Sequence, residues 1–160
     1  DNASQYAETA KKFYTHRNAF YIGRNVDDVL AMEAALKLKE ISYVQCEAYA
    51  AGELKHGTLS LVEDGTLVIA IATQTHLVDK TINNIKECAV RGAYMIAIAM
   101  EGDMRLDKEV QEVWEIPACP EIMAPALVAI PTQLFGYYMA YEKGCDIDKP
   151  RNLAKSVTVE

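Results

Sequence analysis

Short apolar runs alternate along the chain with longer segments whose apolar residues recur every three or four positions. Residues 66–73 (TLVIAIAT) are continuously apolar and β-branched, as is most of 93–100 (AYMIAIAM). Strands without polar alternation are buried on both faces, which predicts a parallel sheet covered by helices. Residues 19–22 (AFYI) stop at Gly23 and read as a strand followed by a tight turn. Residues 113–118 (VWEIPA) read as a weaker fourth strand.

The intervening segments are helical in period. Residues 4–16 place Tyr6, Ala10, Phe13 and Tyr14 in a lead-in helix. Asp27 and Asp28 open a long helix that runs to about Tyr43, and carboxylates suit its first turn. Val78, Ile82, Ile85 and Ala89 share one face of a helix closed by Gly92. Residues 120–143 are largely helical, with Pro125 and Pro131 at a start or a kink and Gly144 as a C-cap. A polar tail, 146–160, follows. The alternation predicts a three-layer α/β/α sandwich with a mainly parallel sheet. Residues 47–57 (EAYAAGELKHG) carry no clean stripe of either period and read as a functional loop or a neutral connection.

Composition narrows the function classes. At 160 residues, 51% hydrophobic and 24% charged, the chain is one globular domain's worth. A net charge of −7 disfavours nucleic acid as a partner. No uninterrupted apolar run reaches the roughly 18 residues of a membrane span. The N-terminus lacks a signal peptide and an initiator Met, so it reads as cut from a longer chain. The four cysteines are widely spaced with no C-x-x-C pair, which predicts reduced thiols and a cytoplasmic protein. The three histidines lie far from one another and from the cysteines, so no metal site is expected.

In such sheets ligands sit at the strand carboxyl ends. That places Gly23-Arg24-Asn25, Gln74-Thr75-His76 and Glu101-Gly102-Asp103 near any site. The Gly23 loop lacks the G-x-G-x-x-G pattern, and Asp27 with Asp28 would repel an anion there. The densest polar set is Glu33, Lys37 and Glu40, which fall within about 60° on one helix face. One reading is a surface ladder of ion pairs. The other is a carboxylate held beside a cation at a pocket edge, able to move a proton at carbon. His56 is a surface residue or, given its near-neutral pKa, a proton shuttle.

Three strings carry a resemblance: EAALKLKEISY from Glu33, EAYAAGELKHG from Glu47, and PRNLAKSVTVE from Pro150 to Glu160. Together they identify the chain as similar to the glucosamine-6-phosphate synthase family, the glutamine–fructose-6-phosphate aminotransferases (isomerizing). The resemblance runs from about Asn18 to the end. It implies the second of two sugar-isomerase (SIS) domains, each with a five-stranded parallel, flavodoxin-like sheet. Residues 1–145 would be that domain, and 146–160 an active-site tail. It implies no cofactor. The reaction joins ammonia from glutamine to fructose 6-phosphate and isomerises the imine to glucosamine 6-phosphate.

By motif position, Glu40 corresponds to the base between C1 and C2, and Glu33 and Lys37 line its pocket. His56 corresponds to a ring-opening histidine delivered to a neighbouring subunit, which implies a homodimer. Lys155 corresponds to the tail lysine of ring opening and Schiff-base formation, and Arg151 helps place the tail. For Lys155 to act there, the last ten residues must fold over the strand carboxyl ends. Without a partner domain the tail is expected to be partly mobile or to dock elsewhere.

Departures are few: Asn25 stands for a common glycine, Gln45-Cys46 for His-Ala, and Thr58 for a common proline. The family's Ser- and Thr-rich phosphate loop belongs to the first SIS domain, and its glutaminase begins with a cysteine where Asp1 stands here. The chain therefore carries about half of one active site, and the glutaminase and first SIS domain would come from the rest of the parent chain. A sugar-phosphate-binding SIS domain of a regulator is the alternative. A doubly wound nucleotide-binding domain lacks its glycine fingerprint.

Overall fold

The computed structural model describes residues 3–154. The elements are α1 (Ala3–Phe13), β1 (Asn18–Gly23), α2 (Val26–Ser42), β2 (Gln45–Ala50), β3 (Leu67–Ala72), α3 (Val78–Ala89), β4 (Tyr94–Met100), β5 (Glu112–Ile116) and α4 (Ala124–Glu142). Short 3-10 helices occupy Ala51–His56, Thr58–Leu61 and Glu121–Met123. The five strands are parallel in the order β2-β1-β3-β4-β5. This is the flavodoxin-like order, whose direction of progression reverses between β1 and β3.

All six residues of β3 are buried, as its unbroken apolar run requires. On one sheet face α1, α2 and α4 enclose Tyr21, Ile69, Ile96 and Trp114. Tyr6 and Phe135 flank Trp114 with ring centroids 5.0 and 5.2 Å away. Aromatic pairs at such spacing add about 0.5–1.5 kcal/mol each beyond the area they bury. On the other face α3 and the first two 3-10 helices cover Ile22, Val68, Ala70 and Ala97.

One expectation is corrected. β2 was not predicted as a strand. Its sequence QCEAYA has no apolar run because it is an edge strand, with Cys46 its one fully buried residue. Among the described residues, Glu121–Glu142 is long and apolar enough, by length and composition alone, to cross a membrane, although Pro131, Thr132 and Gln133 interrupt its apolar run. Its Val128, Phe135 and Met139 pack into the core. Pro125 lies in the first turn of α4, where a missing N–H costs nothing, whereas Pro131 lies inside it.

Gly23 permits the close turn from β1 into α2. A Cβ there would lie 2.3 Å from the Asp27 carbonyl carbon. The first turn of α2 therefore rests directly on the end of β1, which fixes the helix that carries the candidate residues.

Candidate functional site

Glu33, Lys37 and Glu40 form the predicted ladder along α2. The Lys37 ammonium lies 2.9 Å from Glu40 and 3.6 Å from Glu33. The hydrogen bond with Glu40, above all, raises the Lys37 pKa against a smaller opposing effect of burial. Glu33 and Lys37 border a small cleft of about 50 Å³ between α2 and α4, floored by Leu30, Ala34, Val128 and Thr132. Glu40 also lines a larger, open cleft of about 490 Å³ with Leu36, Lys39, Tyr43, Arg151 and Asn152.

That larger cleft exists because the tail returns to α2. Tyr43 caps α2 in the left-handed conformation, φ 58°, with its N–H donated to the Lys39 carbonyl. Its hydroxyl accepts the Arg151 N–H at 3.0 Å, and its ring carries the Arg151 guanidinium 4.1 Å from the centroid. Helix α2 runs antiparallel to the strands, so this docking point lies beside their amino ends. Residues 150–154 do not take the course over the carboxyl ends that Lys155 would need to act there; they dock instead at the end of α2. Helix α4 descends past α2 and releases the tail on the amino-end side. Lys155, the candidate Schiff-base residue, lies outside the described residues.

His56 is elsewhere. It ends the 3-10 helix Ala51–His56, which follows β2 at its carboxyl end. It is 76% exposed, with Nε2 3.7 Å from Glu53. The structure thus joins Glu33, Lys37 and Glu40 along α2, brings Arg151 to the cleft that Glu40 lines, and places His56 at the opposite end of the sheet.

The switch point between β1 and β3 holds a cleft of about 230 Å³ bordered by Val26, Thr73, Gln74 and Glu121, and the chain's own polar groups pair with one another along it. Asp27, buried, accepts the Thr73 N–H at 2.9 Å and the Thr73 hydroxyl at 2.5 Å. Burial pushes its pKa up, against the hydrogen bonds from Thr73 and Gln74. Asn25 donates to the Gln74 side chain at 3.1 Å, and Gln74 donates to the Arg24 carbonyl at 2.7 Å. The Thr75 N–H, on the loop leading into α3, is taken by Glu121 at 3.0 Å. A carboxylate of the protein therefore stands where that loop would meet an anion. Among the described residues no group of three or more His, Cys, Asp or Glu is placed to hold a metal ion. The four cysteines are free thiols, and burial raises Cys46 to about 12 and Cys88 to about 11.

Sequence reasoning placed Arg24 near the strand carboxyl ends without its partner and missed the roles of Tyr43, Asn84 and Glu87, which link segments distant in the chain. Only the positive φ at Tyr43, a bulky residue after a helix, marks it as unusual.

Comparison with known proteins agrees with the fold. The SIS domain model matches residues 12–143. A glutamine–fructose-6-phosphate aminotransferase (isomerizing) from Caldanaerobacter subterraneus subsp. tengcongensis is 55% identical over 160 residues, all of this chain and 26% of that protein. The Clostridium tetani enzyme of the same name is 57% identical over 151 residues, 94% of this chain and 25% of that protein. The chain thus spans about a quarter of the length of these curated relatives. The solved C-terminal domain of the glucosamine-fructose-6-phosphate aminotransferase from Francisella tularensis superposes with a TM-score of 0.85 at 34% identity, over 92% of this chain and 42% of that one. With the family model covering most of its length, a parallel five-stranded sheet in the matching architecture and relatives aligned end to end, the chain belongs to the SIS domain family.

Proposed function

We propose that this chain is the second SIS domain and tail of a cytoplasmic glutamine–fructose-6-phosphate aminotransferase, and that it supplies the isomerising residues. The observation that carries the reading is Glu40, held 2.9 Å from Lys37 on a rigid helix while lining an open cleft. A base must be fixed within hydrogen-bond reach of the proton it takes, and a helix is a better mount than a loop.

In this reading the Glu40 carboxylate takes a proton from C1 of the fructose 6-phosphate imine. The C–H electron pair forms a C1=C2 bond while the C2=N pair moves to nitrogen, which takes a proton, giving an enolamine. The C1 hydroxyl then loses its proton as C1=O forms, and the C1=C2 pair takes a proton at C2 to give the 2-amino aldose. Lys37 and Glu33 border the sugar, and Arg151 seats the tail that carries Lys155. His56 opens the sugar ring in the site of a neighbouring subunit. Its exposure, at the sheet end opposite Glu40, suits delivery to another chain. The active unit is then at least a homodimer. Residues 1–145 form the domain and 146–160 the tail. The phosphate is held by another domain of the parent chain, because Glu121 already occupies the anion-facing N–H of the switch-point loop.

The test is solvent-proton exchange into fructose 6-phosphate by the full-length enzyme carrying Glu40→Gln. A single general base contributes about 10²–10⁴-fold, so exchange should fall by that factor with little change in stability. Exchange at the wild-type rate would remove Glu40 from this role. The 160-residue chain, given ammonia and fructose 6-phosphate, should form no glucosamine 6-phosphate. Turnover by this chain alone would overturn the half-site reading.

A further inference from the structure

His56 is exposed, yet the segment that presents it is held on three sides. Ala51 and Leu54 are buried, at 0% and 1% exposure, in the same cluster as Ile85 and Cys88 of α3. Lys55, next to His56, lies 2.8 Å from Glu87 of α3. The other Glu87 oxygen accepts the Asn84 amide at 3.2 Å. Asn84, 4% exposed, accepts both Nε and Nη2 of Arg24, at 3.1 and 2.8 Å. The Arg24 guanidinium in turn lies against Gly52, where an added Cβ would come within 3.4 Å of Nη2. Directly after His56, Gly57 takes φ 147°, a conformation that L side chains rarely adopt, and so sets where the helix ends.

We propose that Glu87, with Asn84 and Arg24, is a positioning system for His56, gripping Lys55 and Gly52 so that the imidazole projects from a fixed backbone. The inference rests on the reading of His56 as a residue that acts on the sugar. An exposed lysine in a loop is here paired with a carboxylate that is itself tied, through a buried asparagine, to the turn after β1. An isolated surface ion pair contributes little and is readily lost to water. This one is backed by a buried amide with every polar atom engaged, and such connected networks rigidify what they hold. Burial alone would raise the Glu87 carboxyl, but the bonds from Lys55 and Asn84 hold it below its ordinary value. The charged, gripping form is the one present at neutral pH.

Rigid placement matters because a displacement of about 1 Å in a reacting group can cost on the order of 10²-fold in rate. Glu87 touches no substrate in this scheme and acts only through the 51–56 segment.

The experiment compares Glu87→Gln, Lys55→Met, His56→Ala and the double variant Glu87→Gln/His56→Ala in the full-length enzyme. It measures kcat and KM for glucosamine 6-phosphate formation, with thermal unfolding as a check on folding. Glu87→Gln and Lys55→Met should each lower kcat by about 10- to 100-fold with the protein folded. The double variant should be no slower than His56→Ala, because residues that act as one unit are not additive. The charge exchange Glu87→Lys/Lys55→Glu should recover part of the loss. A wild-type kcat in both Glu87→Gln and Lys55→Met beside a slow His56→Ala would overturn this inference alone. Losses that multiply in the double variant would do the same, since Glu87 would then act independently of His56. A wild-type kcat in His56→Ala would remove the reading of His56, and the positioning role with it.

Discussion

The Tyr43 hydroxyl accepts the Arg151 N–H at 3.0 Å while the Tyr43 ring supports the Arg151 guanidinium at 4.1 Å. One side chain thus holds the returning tail by its backbone and by its charge, at the edge of the cleft that contains Glu40. The hydrogen bond is worth about 0.5–1.5 kcal/mol and the exposed cation–π contact about 0.5–1 kcal/mol.

Tyr43→Phe removes only the first of these. Amide exchange at Arg151 should accelerate by about 3- to 10-fold, since each 1.4 kcal/mol is a factor of ten. Tyr43→Ala removes both and should release the tail further, giving faster proteolysis near residue 150. Identical Arg151 exchange in the wild type and both variants would mean that Tyr43 does not anchor the tail.

What the sequence disclosed follows from where its residues lie. β3 and β4 are central strands, so their unbroken apolar runs announced them. The Glu33–Lys37–Glu40 ladder is a local, helix-spaced arrangement, and it formed as the period predicted. β2 escaped because an edge strand half open to water needs no apolar run. The Arg24–Asn84–Glu87–Lys55 chain joins segments up to 60 positions apart, and no local pattern encodes it. The destination of the tail was hidden for the same reason: Tyr43 and Arg151 are 108 positions apart.

A second polar network fastens α1 to the sheet. Glu112 accepts the Thr9 hydroxyl at 2.6 Å, the Tyr94 hydroxyl at 2.7 Å and the Lys12 ammonium at 3.1 Å. Burial alone would raise its pKa, but these bonds together hold it below the ordinary glutamate value. A carboxylate with a depressed folded pKa stabilises above its unfolded pKa, and that stability is lost as pH falls through the folded value. Glu112→Gln should therefore cost about 1–2 kcal/mol at pH 7, below the value of a fully dry charged hydrogen bond because Lys12 stays in water. Urea unfolding at a series of pH values should show the two proteins converging as pH drops below about 4.3, the unfolded glutamate pKa. A gap that stayed constant down to acid pH would show that the loss comes from packing rather than from charge.

The turn after β1 carries the last prediction. Asn25 sits at φ 55°, ψ −121°, a pairing comfortable for glycine and strained for any residue with a Cβ. Its side chain makes no cap to α2 and instead donates to Gln74. Strain of about 1–3 kcal/mol is set against a partly exposed hydrogen bond of about 0.5–1.5 kcal/mol. The extra chain entropy of glycine costs about 0.5–1 kcal/mol more. Asn25→Gly should thus be as stable as the wild type or up to about 1 kcal/mol more stable. Asn25→Ala keeps the strain and loses the bond, and should be less stable by about 1 kcal/mol. Asn25→Val adds a branched Cβ at positive φ and should be worse again. The order Gly, Asn, Ala, Val in denaturant midpoints at equal m-values is the expected result. A valine variant as stable as the asparagine protein would show that this turn relaxes freely and stores no strain.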